Sequence, residues 1–526
     1  MLTRRQFGWG ALMTGALAAA STGTAYAGSD RLATRTARAA AMRSAYDYTT
    51  RETFDHFDRT FHASGTVGQP TDTNEHGALA WGQSYVLAGF IRMYEAYQDT
   101  HYLDRLITNI DLVLANRDSV RGVTDYRGRS LPGWRAMHPY TVGIATLKSG
   151  DGRPVLEVRS AQTYADLATA TVRAGSTEDR FTLEVRNSRN GATATFTDLS
   201  ADPASPDFAV RRINDAYPTP TLVTAKAVGE AGDTALPAHG ATPLVSQPVV
   251  FTVHTGMITY PMASFARLVL RSRRLLKVAK YRQKAVEYLA AAKAAAAVHD
   301  DEWRQTDDGG GYFVWNKGTP LGYDGTEQPT NQSLALGQTY AEIAAATGER
   351  HYADRVRRMA RTFARELTVD ADDAYTWAYW PTFGHTHRGF SASDGISEYT
   401  PSGRGAKQIE DLSHGAIDVE FAALAHRGGL GFRGLDMGRF ARSYSKNMAT
   451  TDPAGVPTTF LRVDGTGGLA AAGQYLQAPR WMMAAPWDRD VFQHAKSIYE
   501  ARAVEPQYGS YLLCVAYLNW YPRRGA

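Results

Sequence analysis

The feature that most constrains this chain is a recurring pair of helical stripes. Leu79, Gln83, Val86, Phe90, Met93 and Tyr97 fall at helical spacing, as do Ile258, Met262, Phe265 and Val269, and again Ile417, Phe421 and Leu424. Residues between them are often apolar as well, so these helices should be buried over much of their surface. They come in pairs. One covers about 77–117 and turns at Gln98-Asp99-Thr100, and a second covers about 256–299. A third covers about 330–368 and turns at Thr347-Gly348-Glu349, and a fourth covers about 414–449 and turns at Arg427-Gly428-Gly429. Residues 470–520 supply further helices. A loose echo supports one architecture throughout: GQSY at Gly82 precedes HYLDR at His101, and GQTY at Gly337 precedes HYADR at His351.

Hairpins at this spacing predict a mainly α chain, an α/α toroid or incomplete barrel of helical hairpins whose loops at one rim build a groove. Between about 140 and 253 the pattern changes. Phe181, Leu183 and Val185 alternate with polar residues, and Gly, Asn, Asp and Pro punctuate the stretch. It reads as a β-rich module inserted at 140–253, between toroid segments 28–139 and 254–526. Within it, residues 198–214 (DLSADPASPDFAVRRIN) resemble a motif of contractile phage tail sheath proteins, which implies a small α/β module, and the insert itself reads as a wall of the groove or an assembly surface.

The first residues bear on location. Thr3-Arg4-Arg5-Gln6-Phe7 is a twin-arginine pattern, followed by a short apolar stretch and by Ala25-Tyr26-Ala27, a small-x-small cleavage motif. Residues 1–27 are therefore expected to be a twin-arginine signal peptide and the protein to be secreted. No later stretch reaches the roughly 18 apolar residues that span a bilayer, so no membrane partner is expected. The formal charge of +4 comes without a dense basic run, which argues against nucleic acid and fits an acidic polymer. The single cysteine, Cys514, lies in an apolar run, which excludes an intramolecular disulfide and a cysteine-built zinc site.

Each hairpin opens with a burst of polar residues. These are Asn74-Glu75-His76 followed by Gln83; His254 with Tyr260; Asn331-Gln332; and Glu410-Asp411-Leu412-Ser413-His414. Convergence of the bursts on one rim would join distant positions in one site. In the last burst, His414, Ile417, Asp418 and Phe421 share one inward face, and Ser413 is a candidate N-cap. A His beside a carboxylate is equipped for proton transfer. Trp380, Arg480 and Trp481 are candidates for stacking on or binding sugar. No HExxH-like spacing occurs, so neither a metal nor another cofactor is expected.

Trp81 to Leu106, WGQSYVLAGFIRMYEAYQDTHYLDRL, resembles helical hairpins of the D-glucuronyl C5-epimerase family and related α/α-toroid enzymes. Asn74-Glu75-His76 is similar, more loosely, to an Asn-Asn-His stretch of toroid alginate lyases. The resemblance implies a polysaccharide-active toroid. In such chemistry a base removes the C5 proton of a uronate whose carboxylate has been neutralised. His76, His254, His414 and Tyr260 are the expected proton movers. Asn74, Glu75, Gln83, Asn331 and Gln332 are the expected substrate binders. The expectation is a secreted enzyme that cleaves an acidic polysaccharide by β-elimination. The alternatives are a glycoside hydrolase using Glu410 or Asp411 with Glu75, Asp307 or Asp308 as paired carboxylates, a C5-epimerase, and a non-catalytic glycan-binding or assembly protein.

Overall fold

The computed structural model describes residues 46–230 and 232–524. The arginine pair and cleavage motif expected to direct export lie outside those residues. The chain is mainly helical, and one inserted module holds the longest strands. Helices of nine residues or more, numbered in chain order, are α1 (Arg51–Ser64), α2 (Ser84–Tyr97), α3 (Thr100–Ala115), α4 (Thr252–Leu270), α5 (Ala279–Ala297), α6 (Thr330–Thr347), α7 (Arg350–Glu366), α8 (Leu412–Arg427), α9 (Gly434–Arg442), α10 (Asp490–Arg502) and α11 (Gly509–Arg523).

Burial sorts them into two kinds. α4 is buried without a break from Thr252 to Ala266, and α6 from Thr330 to Ala344. α8 and α11 behave alike. Such helices must be enclosed on all sides. By contrast, α7 buries one stripe, Val356, Met359, Ala360 and Phe363, and α1 buries Phe54, Phe57, Asp58 and Phe61. The enclosed helices contact one another in chain order: α2 with α4, α4 with α6 and α6 with α8. From α8 contact passes to the short 3-10 segment Ala478–Met483, then to α11, and α11 returns to α2. Each enclosed element also carries a one-sided partner. These are α3 on α2, α5 on α4, α7 on α6, α9 on α8, α10 on the 3-10 segment and α1 on α11.

The turns follow from their residues. Gln98 closes α2 in the left-handed region (φ 52°), and Gly348 does so after α6 (φ 77°), where the absence of a side chain removes the steric cost. Two interhelical contacts also require glycine. A β-carbon at Gly256 on α4 would overlap the backbone of Ala335 and Leu336 on α6, and one at Gly509 on α11 would overlap the carbonyl oxygen of Gly82. Gly82 sits in a π-helical turn, Leu79–Gln83, that leads into α2.

The inserted module contains β1 (Gly143–Lys148), β2 (Pro154–Ser160), β3 (Ala168–Ala174), β4 (Phe181–Asn187), β5 (Thr193–Leu199), β6 (Val223–Ala227), β7 (Gly240–Pro243) and β8 (Val245–Ser246). They form two four-stranded sheets, ordered β6-β2-β1-β8 and β5-β4-β3-β7, with antiparallel neighbours throughout. Leu147, Leu156 and Val158 of the first meet Val172, Leu183 and Leu199 of the second in a core separate from that of the helices. The α/β module implied by residues 198–214 is thus corrected to an antiparallel β module. One short helix, Ala209–Asp215, covers part of it. At its neck Arg135 and Ala136 pair with Val250 and Val249, which brings the two crossing strands together.

Candidate active site

The polar bursts occupy the N-terminal ends of the enclosed helices, where free backbone N–H groups favour anions and polar ligands. The densest cluster opens α8. Asp411, and not the expected Ser413, is the N-cap. Its Oδ1 accepts from the backbone N–H groups of Ser413 (2.9 Å) and His414 (3.1 Å), and its Oδ2 lies 2.6 Å from His414 Nδ1. Aspartate wins over serine here because it caps the helix and pairs with the imidazole at once. Glu410 precedes it, fully buried. Its Oε1 accepts from the Asp411 N–H (2.9 Å) and its Oε2 from Asn331 Nδ2 (2.8 Å). Asp418, two turns along α8, is equally buried and accepts from Trp377 Nε1 at 2.8 Å.

These groups are held in opposite charge states. Burial, and then the mutual repulsion of Glu410 and Asp418, hold Glu410 well above the usual carboxylate range; Asp418 is raised too, chiefly by burial. The two carboxyl groups therefore retain a proton that the unfolded chain would release. Burial opposes the charge on Asp411 as well, but the His414 imidazolium and the capping N–H groups outweigh it, and Asp411 stays ionised far below the usual range. Burial likewise opposes the charge on His414; Asp411 overcomes it and raises the imidazole above its ordinary value. Side-chain exposure is 13% for Asp411 and 20% for His414, so this pair meets solvent while Glu410 lies behind it. One ligand atom each from Glu410, Asp411 and His414 fall within 4.8 Å of one another, a donor set that could also accept a cation.

The Glu410–Asp418 pair has a measurable consequence for stability. Between the unfolded carboxylate range and the raised folded values only the unfolded chain ionises, so this pair costs stability as pH rises. Asp418→Asn keeps an acceptor for Trp377 and removes one charge. The variant should match the parent near pH 4 and melt a few degrees higher near pH 8, a gain of about 1–3 kcal/mol. Melting curves at both pH values measure this, and an equal difference at both would reject the raised carboxyl groups.

Aromatic rings flank the cluster. Tyr379 lies edge-on to His414 (5.4 Å) and to Trp380 (5.3 Å), and Trp380 meets Tyr323 at 4.9 Å. Tyr379, Tyr323 and Trp377 lie outside the helical stripes, so period gave no signal for them.

A second cluster gathers at the openings of α2 and α4. His254 is 2% exposed, and burial pushes its pKa down to about 3, so it is neutral. Its Nδ1 accepts from Asn74 Nδ2 at 3.1 Å, and its ring meets Tyr140 (5.0 Å) and Trp81 (5.5 Å). Asn74 also accepts from the Ala80 N–H and donates to the Trp134 carbonyl, so its amide is fully engaged. His76 is exposed and stacks on His138 at 3.9 Å; His138 in turn meets Asp166 of the inserted module at 3.0 Å. His138 and Asp166 were not foreseen, because the contact joins two segments that only folding brings together. Arg480 links the clusters: its guanidinium packs on the Tyr85 ring (4.8 Å), and its charge acts on His414.

Other expected site residues are turned to different tasks. Tyr260 donates to Glu420 Oε1 (2.5 Å) and accepts from Arg92 (2.6 Å), deep along the enclosed helices; burial holds its phenol well above the usual range, which removes it as a base. Gln83 faces the one-sided layer and donates to Asn109 (3.0 Å). Glu75 pairs with Arg121 and Arg135 and ties down the neck of the insert. Trp481 is fully buried, donates to the Leu412 carbonyl and packs beside Trp377, so it braces α8 and offers no face to sugar. Asp308 pairs with Arg365 on the one-sided helix α7, so its charge is already matched there. Asn331 and Gln332 do sit at the α6 opening, and Gln332 hydrogen-bonds Tyr379.

No family model matches the sequence, and no curated protein matches it. Among solved structures, the chain is similar to a family 76 glycoside hydrolase from a bovine Bacteroides thetaiotaomicron strain. Identity is 10% and the TM-score 0.27, over 72% of this chain and 98% of that one. At that distance the likeness assigns neither a reaction nor its residues, and the chemistry rests on the side chains described above.

Proposed function

We propose that this chain is a carbohydrate-active enzyme, a glycoside hydrolase, and that its six enclosed elements with their outer partners form an α/α toroid. The observation that carries the reading is the Glu410–Asp411–His414 cluster, which holds a protonated and an ionised group side by side beneath Tyr379 and Trp380. Glycosidic cleavage asks for those two states together: a proton for the departing oxygen and a negative charge facing the cationic sugar. His414 Nδ1 is occupied by Asp411, and among the described residues its Nε2 has no partner. Nε2 delivers the proton to the glycosidic oxygen, and the C–O bond breaks. Asp411, with Glu410 behind it, supports the sugar cation. Water then adds to the anomeric carbon and returns a proton to His414.

Elimination is the weaker reading. It needs a neutral base at the sugar, yet Asp411 biases His414 toward its charged form, His254 is neutral but buried against Asn74, and Tyr260 is locked by Arg92 and Glu420. We further propose export through the twin-arginine pathway, from the residue pattern at 4–5.

The test is to digest a panel of polysaccharides in heavy-oxygen water. Hydrolysis places one label in each new reducing end, whereas unlabelled, ultraviolet-absorbing products would mean elimination and sink the proposal. His414→Ala should lower kcat roughly a hundredfold or more without loss of helical circular dichroism. Activity should persist above the ordinary histidine range and fall only as pH passes the raised His414 value, since the protonated form is the working one. A pH profile with no alkaline limb in the parent would count against His414 as donor.

A further inference from the structure

Arg480 is 6% exposed, in the 3-10 segment between α8 and α11. Elsewhere buried guanidinium groups are matched: Arg92 by Glu95 and Glu420, Arg267 by Glu95 and Glu342, Arg159 by Glu157. Arg480 is not. Among the described residues no carboxylate lies within ion-pair distance of it and no acceptor takes its N–H groups; only the Tyr85 ring covers one face, at 4.8 Å. Tyr85 is itself 6% exposed, with a hydroxyl that has no hydrogen-bond partner among the described residues. Burial raises its pKa, so it is a neutral donor. A guanidinium withdrawn from water without an anion is costly, and such a group persists where a ligand completes it.

The surroundings fit a ligand. Arg480 borders a cavity of about 30 Å³, room for a small anionic group and not for a whole sugar ring, lined by one or more residues from every enclosed element: Tyr85, Met257, Gln338, Ile417, Arg480 and Leu513. The acid on the same wall, Glu420, is already met by Arg92, Tyr260 and Tyr517, so it does not serve Arg480. His414, on which the charge of Arg480 also acts, is already matched by Asp411. An oxyanion in this space would therefore meet an unmatched guanidinium, with its planar fork of donors, and a phenol.

Resting on the glycan-cleaving reading, we infer that Arg480, with Tyr85, binds an anionic substituent of the substrate, so that the enzyme selects acidic sugars. A uronate carboxylate and a sulfate ester share the required chemistry, and the experiment separates them. Binding of methyl glucuronoside, its methyl ester, methyl glucoside and glucose 6-sulfate is measured by calorimetry on the folded parent, Arg480→Gln and Arg480→Lys. The parent should bind at least one of the two anionic sugars tenfold or more tighter than the neutral ones, and whichever is tighter names the source. Arg480→Gln should erase that preference while leaving neutral sugars unchanged, and Arg480→Lys should retain part of it.

Equal affinity for charged and neutral sugars in the parent would overturn the inference. So would a preference that survives Arg480→Gln, or no saturable binding of any of the four. Should Arg480→Gln fail to fold, loss of the parent's preference on esterification of the glucuronoside, compared with Arg480→Lys, decides it. Because these readouts need no turnover, a failed hydrolysis assay leaves this result standing, and a failed binding result leaves the hydrolysis assay standing.

Discussion

Gly256→Val should abolish the native fold. At this position α4 and α6 approach until their backbones touch, and even a β-carbon would overlap Ala335 and Leu336. The obstacle is backbone on a helix buried along its length, so no flexible side chain can swing aside. Separating the pair by the thickness of a side chain would open contacts along the most extensive helix interface in the molecule. The expected loss exceeds about 4 kcal/mol, which places the change in the exceptional class. Gly256→Ala should be strongly destabilising as well, whereas alanine at Gly473, where nothing lies within 4 Å, should be nearly silent. Denaturant unfolding followed by circular dichroism compares the three. A valine variant that melts near the parent would show that α4 and α6 do not pack as described.

The second large effect is expected from Arg92→Met. Arg92 is 2% exposed and meets Glu95 and Glu420 at 2.6 Å each, and Tyr260 at 2.6 Å. Methionine fills most of the volume but leaves Glu420 buried with two phenols for company and no cation. Breaking a buried pair from one side typically costs about 3–5 kcal/mol, more than the intact pair contributes. The cost should be largely rescued by the double change Arg92→Met with Glu420→Gln. Thermal melts of the single and double variants check this. Absence of rescue would mean that Arg92 acts through its packing on Tyr517 and Trp520 instead.

Much of the helical plan was legible because enclosed helices write their burial into a period. The hairpin turns at Gln98 and Gly348 fall where the polar and glycine signals put them. The polar bursts could be located, but their roles could not, because role depends on which side of the helix opening a side chain takes. Gln83 and Gln338 follow matching glycines, yet Gln83 faces Asn109 while Gln338 borders the central space and donates to the Ile417 carbonyl. Likewise Trp380 meets rim aromatics, whereas Trp481, equally aromatic in sequence, is sealed beneath α8. Capping gave a similar lesson: serine and aspartate two residues apart both suit an N-cap, and the His414 contact decides between them. The raised carboxyl groups of Glu410 and Asp418 follow from depth, which composition does not encode.

The pairing of α1 with α11 carries a consequence for biogenesis. Asn519 donates to the Tyr48 carbonyl and accepts from Tyr97, and Arg523 donates to the Thr49 carbonyl, across separations of 471, 422 and 474 positions. Those bonds cannot form until α11 has been made, so this seam joins after every other described helix has been synthesised. Loop closure over such spans is slow. Until then α2 stays uncovered on the side that α11 later fills.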